Sequence, residues 1–268
     1  MREELWWKLR SSPTIRKLST LPLLAPLMKR ASLALVPSET TKAMQVKKGV
    51  AKGIVFELFP RWETGQWLGA YEPEAEEIMQ KYFKPGATFY DVGGGVGFYT
   101  LAAARRGAQV FTIEPDPRNF AMIQRHAAMN HLESKVNLVP LAAYSRTGTL
   151  LMEPSEKDRG FGHGHAHARE VFAADAANCI EVRCTTLDDF ARKNPAPDLV
   201  KIDVEFCEAE VFEGSEWLMK ETRAAMLCEV HSHDLGLRIE EIVRRRNYEF
   251  QWLHNEDFPV RWIYATPR

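Results

Sequence analysis

From residue 88 onward, short apolar runs alternate along the chain with longer segments whose apolar residues recur at helical spacing. The apolar runs predict strands at 88–92, 109–114, 136–142, 199–203, 225–230, 248–253 and 261–265. The longer segments predict helices at 72–83, 97–106, 117–130, 207–218 and 235–246. Because a strand, a helix and a parallel strand form one crossover unit, this order predicts right-handed crossovers in a doubly wound, mostly parallel α/β sheet.

The connection between the last two predicted strands differs from the others. Only residues 254–260 separate them. Such a gap is too short for a parallel crossover but sufficient for a hairpin. We therefore expect a seven-stranded sheet whose last strand runs antiparallel.

The turn after the first of these strands is rich in glycine. Asp91 is followed by Gly93, Gly94, Gly95 and Gly97. A strand, a glycine turn and a helix in this order are typical of the way an open α/β sheet holds an adenosine-containing cofactor. The pattern indicates an enzyme.

The spacing of these glycines distinguishes between two possible cofactors, a dinucleotide and S-adenosylmethionine. A dinucleotide site needs G-x-G-x-x-G, but Phe98 and Thr100 stand where the third glycine would be. S-adenosylmethionine has no phosphate, and its amino-acid end and ribose must approach the main chain closely, which glycines permit. Glu114, at the end of the second strand, is expected to accept hydrogen bonds from both ribose hydroxyls. The alternative is a tight turn beside a solvated strand end.

The composition fits one large domain with an appendage. The chain has 268 residues, a hydrophobic share of 45% and a net charge of -1, which gives no support to a nucleic-acid partner. Its four cysteines form no C-x-x-C pair and are interpreted as reduced packing residues of a cytoplasmic protein. We find no apolar run of membrane-spanning length and no secretory signal.

The N-terminal stretch departs from this even composition. Residues 5–38 contain no acidic residue, and basic residues alternate there with leucine and tryptophan. We expect a basic amphipathic helical arm or cap at 1–65, before the main domain at 66–268. Such an arm would contact a membrane surface peripherally, or pack on the domain or on a second subunit of a homo-oligomer.

The segment at about 145–185 is longer than an ordinary connection. We interpret it as a β-rich insertion with a glycine- and histidine-bearing tip. His163, His165 and His167, together with His233, are candidate metal ligands. Their spacing matches no closed zinc pattern, so we favour a flexible polar loop and predict no metal site.

Seven motifs, in order, resemble the FkbM-type S-adenosylmethionine-dependent methyltransferases. They are Tyr71-Glu72-Pro73-Glu74, Phe89-Tyr90-Asp91-Val92-Gly93, Gly97-Phe98-Tyr99-Thr100, Ile113-Glu114-Pro115-Asp116-Pro117, Thr186-Leu187-Asp188-Asp189-Phe190, Val200-Lys201-Ile202-Asp203-Val204-Glu205 and Cys228-Glu229-Val230-His231. The resemblance covers residues from about 66 to the end and implies the Rossmann-like class I methyltransferase fold. Phe206 stands where members usually carry glycine, which places a ring at the mouth of the expected active site.

The glycine pattern and the resemblance together give a set of residues expected to hold S-adenosylmethionine. They are Glu72, Asp91, Gly93, Gly94, Gly95, Gly97, Phe98, Tyr99, Glu114, Pro115, Asn119, Ala142, Ala143 and Asp203.

Three side chains are expected at the reaction centre. Asp203 and Glu205 follow the fourth strand of the main sheet, and His231 follows the fifth. The carboxyl ends of parallel strands meet at one edge, where ligands bind in open sheets. His231 is the best-placed neutral base. The alternatives are that the acids only stabilise the start of the next helix and that the histidine is structural.

The function that the resemblance implies is O-methylation of a hydroxyl on a small molecule, a sugar or a lipid-linked glycan. Two alternatives stay open at this point. One is a non-catalytic scaffold that binds S-adenosylmethionine, with Phe206 blocking the acceptor pocket. The other is an NAD-dependent oxidoreductase, against which the glycine spacing and the final hairpin argue.

Overall fold

The computed structural model describes residues 41–59, 63–69, 71–153, 167–169, 179–253 and 261–268. The strands are β1 (Lys42–Gln45), β2 (Val55–Leu58), β3 (Thr88–Val92), β4 (Gln109–Ile113), β5 (Val136–Val139), β6 (Ala142–Ala143), β7 (Gly148–Glu153), β8 (His167–Arg169), β9 (Ile180–Thr185), β10 (Leu199–Ile202), β11 (Ala225–Val230), β12 (Tyr248–Leu253) and β13 (Arg261–Pro267). The α-helices are α1 (Thr64–Leu68), α2 (Pro73–Gln80), α3 (Phe98–Arg105), α4 (Pro117–Met129), α5 (Leu187–Ala191), α6 (Glu208–Glu213) and α7 (His233–Arg245).

The chain divides into two compact units, residues 1–71 with 160–162, and residues 72–159 with 163–268. In the described part of the first unit, β1 and β2 form an antiparallel hairpin, followed by α1. Residues 42–58 therefore hold strands where we predict a helical arm. Along β2 partly buried and buried side chains alternate, as in a strand, and the left-handed glycines Gly49 and Gly53 interrupt a helix. The basic stretch at 5–38 lies outside the described residues.

The second unit is built on a seven-stranded sheet in the order β12-β13-β11-β10-β3-β4-β5. Neighbouring strands from β11 to β5 pair in parallel, and β13 pairs antiparallel with both β11 and β12. The predicted doubly wound, mostly parallel sheet with one reversed strand is confirmed. In this order the carboxyl ends of β11, β10, β3 and β4 lie side by side, which places the four connections that follow them at one edge.

Helices begin where the sequence supplies caps. The Asp116 carboxylate accepts a hydrogen bond from the main-chain N–H of Arg118 at 2.8 Å, and Pro117 occupies the first turn of α4. The Ser232 hydroxyl accepts from the N–H of Leu235 at 3.2 Å and starts α7. These caps fix where the chain leaves the sheet edge, and so where the side chains just before the helices point.

The core fills the space between this sheet and its helices. Tyr90 of β3 makes edge-on ring contacts with Phe111 of β4 at 5.5 Å and with Phe190 of α5 at 5.3 Å. Pairs of this kind add about 0.5–1.5 kcal/mol each beyond the burial of their surface. Strands β3 and β10 are buried along their whole length, as expected for central parallel strands.

A second, four-stranded sheet in the order β6-β9-β7-β8 occupies the region where we predict a β-rich insertion. The predicted strand at 136–142 is divided between the two sheets, because Pro140 lacks an N–H and ends β5. The predicted helix at 207–218 stops at Gly214, where a Cβ atom would overlap the carbonyl oxygen of Tyr144. Among the described residues, no helix is long and apolar enough to cross a membrane.

Candidate active site

The glycine turn follows β3 and approaches neighbouring main chain closely. Gly93 has φ +77, and a Cβ atom there would overlap the carbonyl oxygen of Asp203. Cβ atoms on Gly94 and Gly97 would press on the side chains of Thr112 and Ile123. Three of the glycines are thus required by the packing of the protein itself. Only at Gly95, with φ +54, would a Cβ atom meet open space, with nothing within 4 Å.

Glu114 follows β4 and binds the glycine turn through its carboxylate. Its Oε2 accepts the N–H of Gly95 at 2.8 Å, and its Oε1 accepts the N–H of Asp116 at 2.9 Å and lies 3.4 Å from the Asn119 amide. Burial raises the pKa of Glu114, and the two main-chain hydrogen bonds offset part of the rise, so that the pKa is about 7. Since each carboxylate oxygen carries two lone pairs, Oε2 can accept one further hydrogen bond, whereas Oε1 already has two donors.

Asp91 and Lys201 form a buried ion pair beneath the turn. Lys201 Nζ lies 3.3 Å from Asp91 Oδ1 and 3.2 Å from Asp203 Oδ2, and it donates to the carbonyl of Gly93 at 2.9 Å. The second oxygen of Asp91 accepts from the Thr100 hydroxyl at 2.6 Å. Burial alone would lower the pKa of Lys201, but the charges of Asp203 and Asp91 outweigh it and raise the pKa. This lysine therefore joins the ends of β3 and β10.

Glu72 contacts Tyr99, which comes two residues after the last glycine of the turn. The Tyr99 hydroxyl donates to Glu72 Oε2 at 2.8 Å, and the Tyr99 ring lies 5.9 Å from the ammonium of Lys201. The backbone of Glu72, directly before Pro73, is left-handed with φ +45, which is uncommon for a residue other than glycine. Both residues are among those predicted for the cofactor.

Asp203, Glu205 and His231 come together at the ends of β10 and β11. His231 Nε2 lies 3.2 Å from Glu205 Oε2 and 3.9 Å from Asp203 Oδ1. The side chains of Asp203 and Glu205 are 24% and 20% exposed, so a ligand can reach them from solvent. The structure brings together the three side chains predicted for the reaction centre.

The other nitrogen of His231 is held by a residue that the sequence did not single out. His231 Nδ1 contacts Oε1 of Glu208, a fully buried carboxylate in the first turn of α6. Burial alone would lower the pKa of His231, but this hydrogen bond and the charges of Asp203, Glu205 and Glu208 raise it to about 9. The direction of this shift does not agree with the prediction of a neutral base, because it favours the imidazolium at neutral pH.

The pKa of Asp203 is lowered although its carboxylate is largely buried. Burial by itself would raise the pKa of Asp203, whereas Lys201 and His231 lower it, and the net shift is downward. Glu229, on β11, shows the opposite shift, because burial and then the charge of Asp203 raise its pKa. A hydrogen bond between Glu229 and Asp203 also contributes to the lowered pKa of Asp203.

Phe206 lies over this cluster. Its side chain is 49% exposed, its ring centroid is 5.4 Å from that of His231, and its N–H donates to Glu208 Oε1 at 3.0 Å. Glu205 and Phe206 have φ of +53 and +74, two consecutive left-handed residues that turn the chain from β10 into α6. A non-glycine residue in this region is uncommon, and it marks a segment held in place by its contacts.

The remaining predicted cofactor residues lie on separate elements of the second unit. Phe98 begins α3, and its ring packs edge-on against Tyr99 at 5.2 Å. Pro115 and Asn119 follow β4, whereas Ala142 and Ala143 form β6 in the second sheet. His163 and His165 lie outside the described residues.

Sequence reasoning missed the roles of Lys201 and Glu208. A signal for Lys201 was present, since it is the charged residue of an otherwise apolar strand, Leu199–Ile202, and buried charges require partners. Glu208 gave no such signal, because its approach to His231 depends on the two left-handed residues before α6.

The architecture assigns this chain to a class of enzymes. A mostly parallel sheet with one reversed strand, and a glycine turn at its carboxyl edge, make it a Rossmann-like class I methyltransferase fold. The family description "Methyltransferase FkbM domain" matches residues 91–250, more than half of the chain. The chain therefore belongs to the FkbM methyltransferase family.

Curated relatives match shorter stretches. A ribosomal protein L11 methyltransferase of Pelotomaculum thermopropionicum is 32% identical over 111 residues, covering 41% of this chain and 35% of the relative. An uncharacterized methyltransferase of a Mycobacterium species is 58% identical over 33 residues, covering 12% of this chain and 13% of the relative. The matched stretches thus span about a third or less of the length of these relatives.

Solved structures give similarity at low identity. A methyltransferase FkbM from Methylobacillus flagellatus aligns with a TM-score of 0.49 at 15% identity, covering 77% of this chain and 54% of that one. A precorrin-6Y C5,15-methyltransferase from Geobacter metallireducens aligns with a TM-score of 0.44 at 13% identity, covering 72% and 89% of the two chains.

Proposed function

We propose that this protein transfers the methyl group of S-adenosylmethionine to a hydroxyl of a small molecule, a sugar or a lipid-linked glycan. The observation that carries the proposal is the cluster of Asp203, Glu205 and His231 at the sheet edge that also bears the glycine turn. Membership of the FkbM methyltransferase family supports methyl transfer and its donor. The hydroxyl acceptor rests on the family likeness.

The residues present fit the donor. Gly95 borders open space, and Oε2 of Glu114 keeps a lone pair for a ribose hydroxyl. Glu72 and Tyr99, which are hydrogen-bonded to each other next to the turn, would hold the amino-acid end. When bound, S-adenosylmethionine supplies a methyl group already activated on a sulfonium sulfur. Asp91 is buried and bonded within the protein, so its part is to position the turn.

The protein's task in methyl transfer is to align the acceptor and remove its proton. A hydroxyl oxygen that received the methyl group would become strongly acidic and would lose its proton to a nearby carboxylate. Asp203 and Glu205 are the carboxylates of the cluster that are available to take that proton. His231, as an imidazolium, holds both carboxylates in place.

A non-catalytic scaffold is the second candidate, and Phe206 favours it. This half-exposed ring lies against His231 and would narrow the path of an acceptor to the two carboxylates. The scaffold and the enzyme make the same prediction for donor binding and differ in methyl transfer.

The test has a binding arm and a transfer arm. Calorimetry with S-adenosylmethionine and with NAD, on the wild type and on Glu114→Ala, should show that the wild type binds S-adenosylmethionine alone and that the variant binds it more weakly. Radiolabelled S-adenosylmethionine is then offered with a panel of sugars, small alcohols, lipid-linked glycans and proteins. Label in a hydroxyl acceptor supports the proposal. Binding without transfer to any acceptor favours the scaffold, and binding of NAD contradicts the proposal.

Contact of the N-terminal arm with membranes, and assembly of a homo-oligomer, stay predictions. Deleting residues 1–40 and sedimenting the protein with anionic liposomes tests the first. If the fraction that pellets is unchanged by the deletion, the arm is not a membrane anchor.

A further inference from the structure

Three side chains at the end of β10 and β11 are arranged like the ligands of one metal ion. One ligand atom each from Asp203, Glu205 and His231 lies within 4.8 Å of the other two. The distances from His231 Nε2 are 3.2 Å to Glu205 and 3.9 Å to Asp203. Two ligands of the same ion, each about 2.1 Å from it, lie up to about 4.2 Å apart. Small side-chain rotations would therefore close the set around a cation.

The histidine of this set is oriented as metal-binding histidines are. Histidines that bind metals through one nitrogen usually donate the other N–H to a carboxylate or carbonyl, which fixes the ring. Here Nδ1 of His231 is held by Glu208, and Nε2 is left facing the two other acids. The arrangement therefore places Nε2, once it has lost its proton, beside the two carboxylates that would bind the same cation.

Glu208 supplies a second and independent observation. Its side chain is completely buried, and its Oε2 accepts no hydrogen bond from any residue that the structure describes. A buried carboxylate with an oxygen left unsatisfied is costly unless a positive charge lies near. Its hydrogen-bonded neighbour His231 would transmit the charge of a bound cation to it. The cluster therefore carries a surplus of negative charge that a cation would balance.

We propose that Asp203, Glu205 and His231 form a binding site for a divalent transition-metal cation, with Glu208 as the residue that positions His231. The ion takes the place of the proton on Nε2, which passes to solvent. Three protein ligands leave coordination positions open for water or for an acceptor oxygen. A cation there would lower the pKa of the acceptor hydroxyl, so the role of the site in catalysis rests on the proposed function, while the site itself does not.

The ligand set narrows the choice of ion. Carboxylates suit magnesium and manganese, whereas imidazole suits zinc, iron and related ions. Two carboxylates with one imidazole fit a first-row divalent ion that accepts both kinds of ligand, and Mn²⁺ is the probe that can be followed directly. The partly exposed position of the two acids gives the ion a path from solvent.

The test measures free Mn²⁺ by electron paramagnetic resonance during titration of the full chain at a weakly basic pH. Four proteins are compared: the wild type, Glu205→Gln, Glu208→Gln, and Glu241→Gln as a control at an exposed acid of α7. The wild type and the control should bind one equivalent with the same affinity. Loss of the positioning carboxylate should weaken binding about 10- to 100-fold, and loss of the ligand at least as much.

Thermal midpoints measured on the same samples, without metal, show whether the two variants still fold. Glu205 is partly exposed, so its variant keeps the test decisive if Glu208→Gln is unstable. The proposal is overturned if the wild type leaves Mn²⁺ free in solution, which would show that the imidazolium alone neutralises the acids. Equal binding by all four proteins overturns it as well. Titration with S-adenosylhomocysteine, run separately, reports on the proposed function without reference to the metal.

Discussion

Two regions at the same sheet edge differ in the partners that balance their buried acids. Around the glycine turn, Asp91 pairs with Lys201 and accepts from a hydroxyl, and Glu114 accepts from two main-chain N–H groups, although Oδ1 of Asp91 has no hydrogen bond among the described residues. Around His231, three acids crowd one imidazole, and Oε2 of Glu208 accepts no hydrogen bond from the described residues. In the first region the buried Asp91 has a lysine as its partner, whereas in the second the acids outnumber the imidazole three to one. In our proposal the first region binds the donor and the second acts on the acceptor.

The largest expected effect comes from removing the lysine that stabilises the first region. Lys201→Met leaves Asp91 buried without its cation, and breaking a buried pair in this way costs about 3–5 kcal/mol of unfolding free energy. Urea unfolding measures the loss. Arg192→Met is the matched control, because Arg192 pairs with Asp189 at 3.5 Å but both side chains are about half exposed. The control should lose at most about 1 kcal/mol, and equal losses would contradict the contrast.

The next effect distinguishes glycines that the protein needs from the one that faces open space. Gly93→Ala combines a left-handed φ with overlap on Asp203, and should cost about 2–5 kcal/mol. Gly95→Ala meets no atom and should cost only the backbone strain, about 1–2 kcal/mol. Calorimetry with S-adenosylhomocysteine should nevertheless show weaker binding to the folded Gly95→Ala. Unchanged binding would mean that the donor does not lie over Gly95.

The charge of Glu114 gives a smaller, pH-dependent effect. Its pKa is about 7 in the folded protein against an ordinary value of 4.5. Between these values the unfolded chain has lost the proton while the folded protein keeps it, so stability falls as pH rises through this window. The ligand-free wild type should lose up to about 3 kcal/mol relative to Glu114→Gln between pH 4.5 and 7. Parallel curves for the two proteins would show that Glu114 is already ionised at low pH.

The smallest effect on stability is expected at Phe206. Glycine adopts the left-handed φ of this position without strain, so Phe206→Gly should change the unfolding free energy by less than about 1 kcal/mol. Removing the ring opens the approach to Asp203 and Glu205, and methyl transfer to bulky acceptors should rise. The assay is the radiolabel panel, run on both proteins. A fall in transfer to every acceptor would show that the ring helps to hold the substrate.

Most of the fold could be predicted from the sequence, and the predicted elements that the structure interrupts are interrupted at single residues. Apolar runs located the strands of the main sheet because central parallel strands are buried on both faces. The hairpin of β12 and β13 followed from the length of its connection. Pro140 ends β5 through its own missing N–H, whereas the close contact at Gly214 is with the carbonyl of Tyr144, which is distant in sequence.

The site was predictable in part for the same kind of reason. Asp203, Glu205 and His231 follow neighbouring strands, and parallel strands place their carboxyl ends together. The pairing of Lys201 with Asp91 needed the register of β10 on β3, in which these two residues are direct neighbours. The position of Glu208 depends on the left-handed turn at residues 205–206. This turn could not be predicted from the sequence, because neither residue is glycine.

The central claim is that the glycine turn with Glu114 holds the donor while the acids around His231 act on the acceptor. The most direct test is the affinity for S-adenosylhomocysteine of Glu114→Ala and Glu205→Gln, each compared with the wild type by calorimetry. The account predicts that Glu114→Ala binds much more weakly and that Glu205→Gln binds as the wild type does. Binding of the donor product that survives the loss of Glu114 but disappears with Glu205 would contradict it.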